Sequence, residues 1–129
     1  MSKQLVFTNE APAAIGPYSQ AIRTGNILFT AGQIGLDPAT GQMVHGGIKE
    51  QTTRVLENLK AILEAADSGL EKTIKATVYL KNFDDFAAMN AIYGEYLAPE
   101  GVAPPARTTI EAARLPKDAL IEIELVATV

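Results

Sequence analysis

Cysteine is missing from this sequence, and histidine occurs once, as His45. The first absence excludes disulfides, thiolate nucleophiles and Cys-ligated zinc. It also agrees with a cytoplasmic location. The second leaves His45, in a loop ahead of Gly46-Gly47, with no second His or Cys to share a metal, so no metal is expected. Basic residues are in deficit: 11 Lys and Arg stand against 15 Asp and Glu, a net charge of −4. A surface that tracks nucleic-acid phosphates would need clustered Lys and Arg. No apolar run is long enough to span a bilayer. The first ten residues reach an acidic side chain early and do not read as a secretory signal. There is no Gly-rich phosphate loop, no His pair and no serine in a nucleophile elbow. Redox and phosphoryl-transfer chemistry are therefore not expected.

What is present fits one α+β domain over residues 1–129. Hydrophobic residues make up 47% and charged residues 20%, enough apolar material for a core. Leu5-Val6-Phe7 reads as an edge strand. Pro12, Gly16 and Pro17 make 11–18 an ordered loop that presents Tyr18. Residues 19–23 and 26–33 read as a hairpin turning at Thr24-Gly25-Asn26. Asp37-Pro38 and Gly41 mark a turn. The three- and four-residue spacing of Val55, Leu56, Leu59, Ile62 and Leu63 predicts a helix over 48–66, closing near Gly69. Alternation predicts a strand over 73–81. Phe86, Met89, Tyr93 and Leu97 predict a second helix, in which Asn90 is a polar exception beside the apolar stripe. The order implies one mainly antiparallel sheet with both helices on one face.

The stretch from Pro104 to Leu125 is the most unusual. It reads as a closing hairpin around Pro116-Lys117-Asp118. Arg107 follows two prolines at a strand start, where its planar fork could grip a carboxylate. Its other reading is a structural ion pair with Glu111 or Glu122. In the last strand Ile121, Ile123, Leu125 and Ala127 share one face, and Glu122 and Glu124 share the other. A face open to water would need no explanation. Apolar neighbours predict instead that it is partly covered, by another subunit or otherwise, so that Glu122 could hold or deprotonate a water.

Ala11 through Gln20, Gly32-Gln33-Ile34, Pro105-Ala106-Arg107 and Ala113 through Glu124 together resemble the reactive-intermediate (enamine/imine) deaminase family, the RidA group. The resemblance spans nearly the whole chain. It implies a chorismate-mutase-like fold, a homotrimer around a central β-barrel, and sites between subunits. It implies hydrolysis of 2-imino and enamine acids such as 2-iminobutanoate and 2-iminopropanoate to 2-oxo acids and ammonia. These substrates come from pyridoxal-phosphate enzymes, and no cofactor is needed. It assigns carboxylate binding to Arg107 and the attacking water to Glu122. Tyr18, Asn90 and Tyr93 would line the pocket, and the backbones of Gly32 and Thr109 would touch substrate. Ala31 stands where the family often has Ser, and Thr109 where Cys is frequent. The rival readings are a non-catalytic 2-oxo-acid-binding regulatory trimer and an RNA-directed role.

Overall fold

Ile121, Ile123, Leu125 and Ala127 are buried, and the residues between them are only half-buried. This alternation builds β6 (Ile121–Thr128), the strand on which the sheet is centred. The computed structural model describes residues 2–129. Around β6 lie β1 (Gln4–Val6), β2 (Ala21–Thr24), β3 (Ile27–Thr30), β4 (Thr73–Leu80) and β5 (Ala106–Glu111), in the spatial order β1-β2-β3-β6-β4-β5. All neighbours are antiparallel except β4 and β5. Gly25, at φ 58°, makes the tight turn between β2 and β3 that the sequence predicts.

The expected closing hairpin does not form. β4 lies between β5 and β6, and β5 runs parallel to β4. The connection from 112 to 120 instead steps across the end of β4. Leu80 accepts a bond from the Ala112 N–H at 2.8 Å, and Lys81 donates to the Leu120 carbonyl at 3.0 Å. Leu115, Ala119 and Ile34 form a small apolar cluster that holds this crossing down. A parallel pair needs a long crossover, and the helix between β4 and β5 supplies it.

Helix α1 (Ile48–Ala65) buries Val55, Leu56, Leu59, Ile62 and Leu63 completely against the sheet. Each such side chain contributes roughly 1.5–3 kcal/mol on burial. Glu50 reaches back to accept the Gly47 N–H at 2.8 Å, which closes the first turn. That bond and its own N–H hold the Glu50 carboxyl below the usual glutamate range. At the other end Asp67, not Gly69, takes the left-handed conformation, at φ 59°. Ser68 N–H bonds the Leu63 carbonyl and Asp67 N–H bonds that of Glu64, a paired closure. Asp visits this region more readily than most residues. Asn82 caps the short turn leading into α2 (Phe86–Leu97), which buries Met89, Tyr93 and Leu97 on the same side of the sheet. Among the described residues no helix is long and apolar enough to cross a membrane.

The loop over 8–18 has one buried anchor, Gln20, 2% exposed. Its Oε1 accepts the Thr8 N–H at 2.8 Å, and its Nε2 donates to the Thr8 and Pro12 carbonyls at 3.0 and 2.9 Å. Gln20→Ala is expected to cost about 1–3 kcal/mol, since buried partners lose their bonds. Urea denaturation checks this: the midpoint should fall with little change in slope.

Candidate active site

Arg107 begins one of two constellations. The register sets Arg107 beside Ala76 and Thr109 beside Val78, so both side chains lie on the helix face of the sheet. There α2 meets them. Arg107 Nη1 donates to Asn90 Oδ1 at 2.6 Å. Its guanidinium carbon lies 4.7 Å from the Tyr93 ring centre and 5.4 Å from that of Phe86. Such contacts contribute on the order of 0.5–2 kcal/mol and hold the planar group in place. Phe83 stacks on Phe86 and extends the aromatic support. Burial pushes the Tyr93 hydroxyl up, and the neighbouring Arg107 charge opposes that shift. Pro104 and Pro105 complete a shallow depression of about 400 Å³. Since Ala112 N–H bonds Leu80, strand alternation turns the N–H and C=O of Arg107 and Thr109 outward, to the open edge of β5. The Thr109 hydroxyl is buried and makes no hydrogen bond within the described residues.

Glu122 begins the other. It pairs with Tyr79 across β4, on the face away from the helices. A depression of about 570 Å³ gathers Glu122 with Gly32, Ala31, Tyr18, Ile34 and Lys117. Burial first, and the Glu124 charge second, push the Glu122 carboxyl up. Tyr79 does not bond its direct partner; its hydroxyl donates diagonally to Glu124 Oε1 at 2.7 Å. That bond to a carboxylate pushes the Tyr79 hydroxyl up. The Glu122 carboxyl lies over the Gly32 backbone. A Cβ at position 32 would come within 2.9 Å of its Cδ and 3.0 Å of its Cγ, closer than atoms tolerate. Only glycine lets the carboxylate rest there. Lys117, at φ 55°, shapes the rim at a cost of about 1–2 kcal/mol, and Asp118 follows it at φ 54°.

The seven residues singled out by sequence thus divide. Arg107, Asn90, Tyr93 and Thr109 belong to the helix face at the β5 edge. Glu122, Gly32 and Tyr18 belong to the opposite face. Within one chain Arg107 and Glu122 do not border a common pocket. Neither forms an ion pair among the described residues, where Arg114–Asp118 is the pair present. Asn90, odd in the helix pattern, has its partner in Arg107. Phe86 as a platform, Tyr79 beside Glu124, and Lys117 at the rim were not read from sequence. For Tyr79 the available signal was an aromatic with a hydroxyl on the outer face of a strand.

Residues 8–129 match the model of the family described as Endoribonuclease L-PSP. A RutC family protein of Pyrococcus horikoshii is 59% identical over 125 residues, covering 97% of each chain. Reactive Intermediate Deaminase A of Arabidopsis thaliana, a chloroplastic protein, is 43% identical over 129 residues, covering 99% of this chain and 67% of that one. The fold matches the crystal structure of E. coli TdcF with bound serine at a TM-score of 0.92, with 38% identity and 98% of both chains covered. With a family model and near-full-length relatives agreeing on the same span, the chain belongs to the Endoribonuclease L-PSP family, in the RidA group that holds the RutC family proteins and Reactive Intermediate Deaminase A.

Proposed function

We propose that this protein hydrolyses reactive 2-imino acids and their enamine tautomers, 2-iminobutanoate and 2-iminopropanoate among them, to 2-oxo acids and ammonia. One observation carries the reading: each chain presents two complementary half-sites on opposite faces. One offers a preformed guanidinium, the other a half-buried carboxylate. A second copy would bring the Arg107 edge of one chain against the Glu122 depression of the next. The outer sheet face supports such an assembly, because its Phe29 and Ile110 side chains are 49% and 44% exposed. A ring of three copies, closing this face into a barrel, satisfies every half-site. The bound serine of the E. coli relative supports a small α-carboxylate ligand.

The chemistry follows from the groups. Arg107 and Asn90 hold the carboxylate, and the Thr109 main chain at the open edge steadies it. Tyr18 covers the substrate and the Gly32 backbone lies close against it. Glu122 takes a proton as water oxygen bonds to the imine carbon, giving a carbinolamine. That proton passes to nitrogen, the hydroxyl returns its own proton to Glu122 and closes to C=O as the C–N bond breaks, and ammonia leaves, taking that last proton as ammonium. A protonated imine is already electrophilic, so positioning supplies much of the effect. No metal-binding cluster exists among the described residues, and no step calls for one. Pyridoxal-phosphate dehydratases in the cytoplasm would supply the substrate.

The test generates 2-iminobutanoate with a threonine dehydratase and follows its decay. Arg107→Ala and Glu122→Gln should each be inactive alone. Mixed and allowed to exchange subunits, they should recover roughly a quarter of wild-type activity, because one pairing in four joins an intact Arg to an intact Glu. No recovery in demonstrably mixed oligomers would sink the composite site. A protein that binds 2-oxobutanoate yet leaves imine decay unchanged would be a sensor instead. The family description also names RNA cleavage. Here His45 groups with Lys49, Glu50 and Arg54, away from both half-sites.

A further inference from the structure

β3 and β6 change register between Phe29 and Gln33. Ile27, Leu28 and Phe29 pair with Thr128, Ala127 and Val126, whereas Gln33 pairs with Ile123. Three residues, Thr30, Ala31 and Gly32, therefore oppose two, Glu124 and Leu125. This is a β-bulge of one extra residue. It inverts side-chain parity. Phe29 lies on the outer face with Val126, yet Gln33, four residues on, is 6% exposed and lies with Ile123 on the core face. In a regular strand the two would share a face. The inversion delivers position 32 to the outer face, under Glu122.

A bulge leaves a ladder donor without its backbone acceptor. Here that donor is the Leu125 N–H, which points toward β3. The Thr30 hydroxyl accepts it at 2.9 Å, in place of a carbonyl. On the other side Ala31 N–H bonds the Gln20 carbonyl at 2.9 Å, and beyond the bulge Gln33 and Ile123 exchange bonds at 2.9 and 3.1 Å.

We propose that Thr30 is a positioning residue: its hydroxyl fixes the bulge that places the Gly32 backbone beneath the Glu122 carboxylate. This rests on Glu122 being the base of the proposed reaction. Thr30 touches no substrate and acts through Gly32 and Glu122. The titratable groups facing Glu122 are Glu124 on its own strand, Tyr79 on β4, and Tyr18 and Lys117 around the depression. Thr30→Val changes the charge of none of them.

The test compares Thr30→Val, which keeps shape and loses the acceptor, with Thr30→Ser, which keeps it. Thr30→Val should lower kcat for imine hydrolysis about tenfold or more, since a misplacement near 1 Å can cost 10²-fold. KM should stay within about twofold, because Arg107 is untouched. Thr30→Ser should restore kcat to within about twofold. Carboxyl ¹³C NMR, with Glu122 assigned through Glu122→Gln, gives a readout independent of turnover. In Thr30→Val the Glu122 titration should move down toward the ordinary glutamate range as the group swings into water, and in Thr30→Ser it should stay put. Wild-type kcat in Thr30→Val overturns the inference. So does a lost kcat with an unmoved Glu122 titration, which would mean a structural role elsewhere. Should Thr30→Val fail to fold, Thr30→Ala is titrated and assayed by the same criteria. If the wild-type protein leaves imine decay unchanged, the proposed function falls, and the Glu122 titration alone decides on Thr30.

Discussion

Glu122→Gln is expected to lower kcat for imine hydrolysis by about 10²–10⁴-fold, the usual contribution of a positioned general base. The same change is expected to raise the melting temperature at neutral pH. Both outcomes follow from one placement. Burial and the Glu124 charge push the Glu122 carboxyl up, so the fold favours its neutral form. A carboxyl raised on folding adds stability below its unfolded pKa, and that stability is lost as pH rises through the raised folded value. At neutral pH the ionised group is a liability that glutamine removes. The gap in melting temperature should close below the ordinary glutamate range, where both side chains are uncharged. Wild-type activity should fall on the acid side, through a pH above that range, as the base is protonated. Thermal melts and rate profiles across acid and neutral pH check both. A stable variant with full turnover would remove Glu122 from the chemistry.

Arg107→Lys is expected to lower kcat/KM by about 10- to 150-fold while leaving the circular dichroism spectrum unchanged. A hydrogen bond to a charged group contributes about 1.5–3 kcal/mol, and lysine keeps the charge but not the paired geometry. The supporting structure makes the loss specific. Arg107 bonds Asn90 at 2.6 Å and lies by the Tyr93 and Phe86 rings, a setting that suits a flat group. An ammonium on a flexible stem would lie there without a fixed orientation. Binding of 2-oxobutanoate, measured by calorimetry, should weaken in parallel. Near-normal turnover by Arg107→Lys would remove the two-point grip from the mechanism.

The alternation of β6 and the periodicity of α1 were legible because each is a local consequence of one buried face. Arg107 and Glu122 stood out because each set charge where the local pattern called for apolar or stiff backbone. The partner of β5 was not legible. Pro116-Lys117-Asp118 is sound turn chemistry, but it determines only that the chain bends. Which strand occupies the gap depends on β4 pairing on both edges, a tertiary matter. A glycine at a strand end such as Gly32 already suggests a bulge or bend, but its span over 30–32 and the part Thr30 takes in it were hidden for a related reason: register is a property of two strands, and Thr30 reads locally as an ordinary strand residue. The end of α1 was legible to within a residue, but its left-handed closing residue was placed at Gly69 and not Asp67, because glycine is the usual signal and Asp the exception.

The two half-sites on opposite faces bear on how the protein would behave when scarce. If catalysis requires both, a dissociated chain is inert however well folded. The rate would then rise faster than first order in protein until assembly saturates, and become proportional thereafter. A cell would control this activity through a threshold in expression level as well as through the number of molecules made.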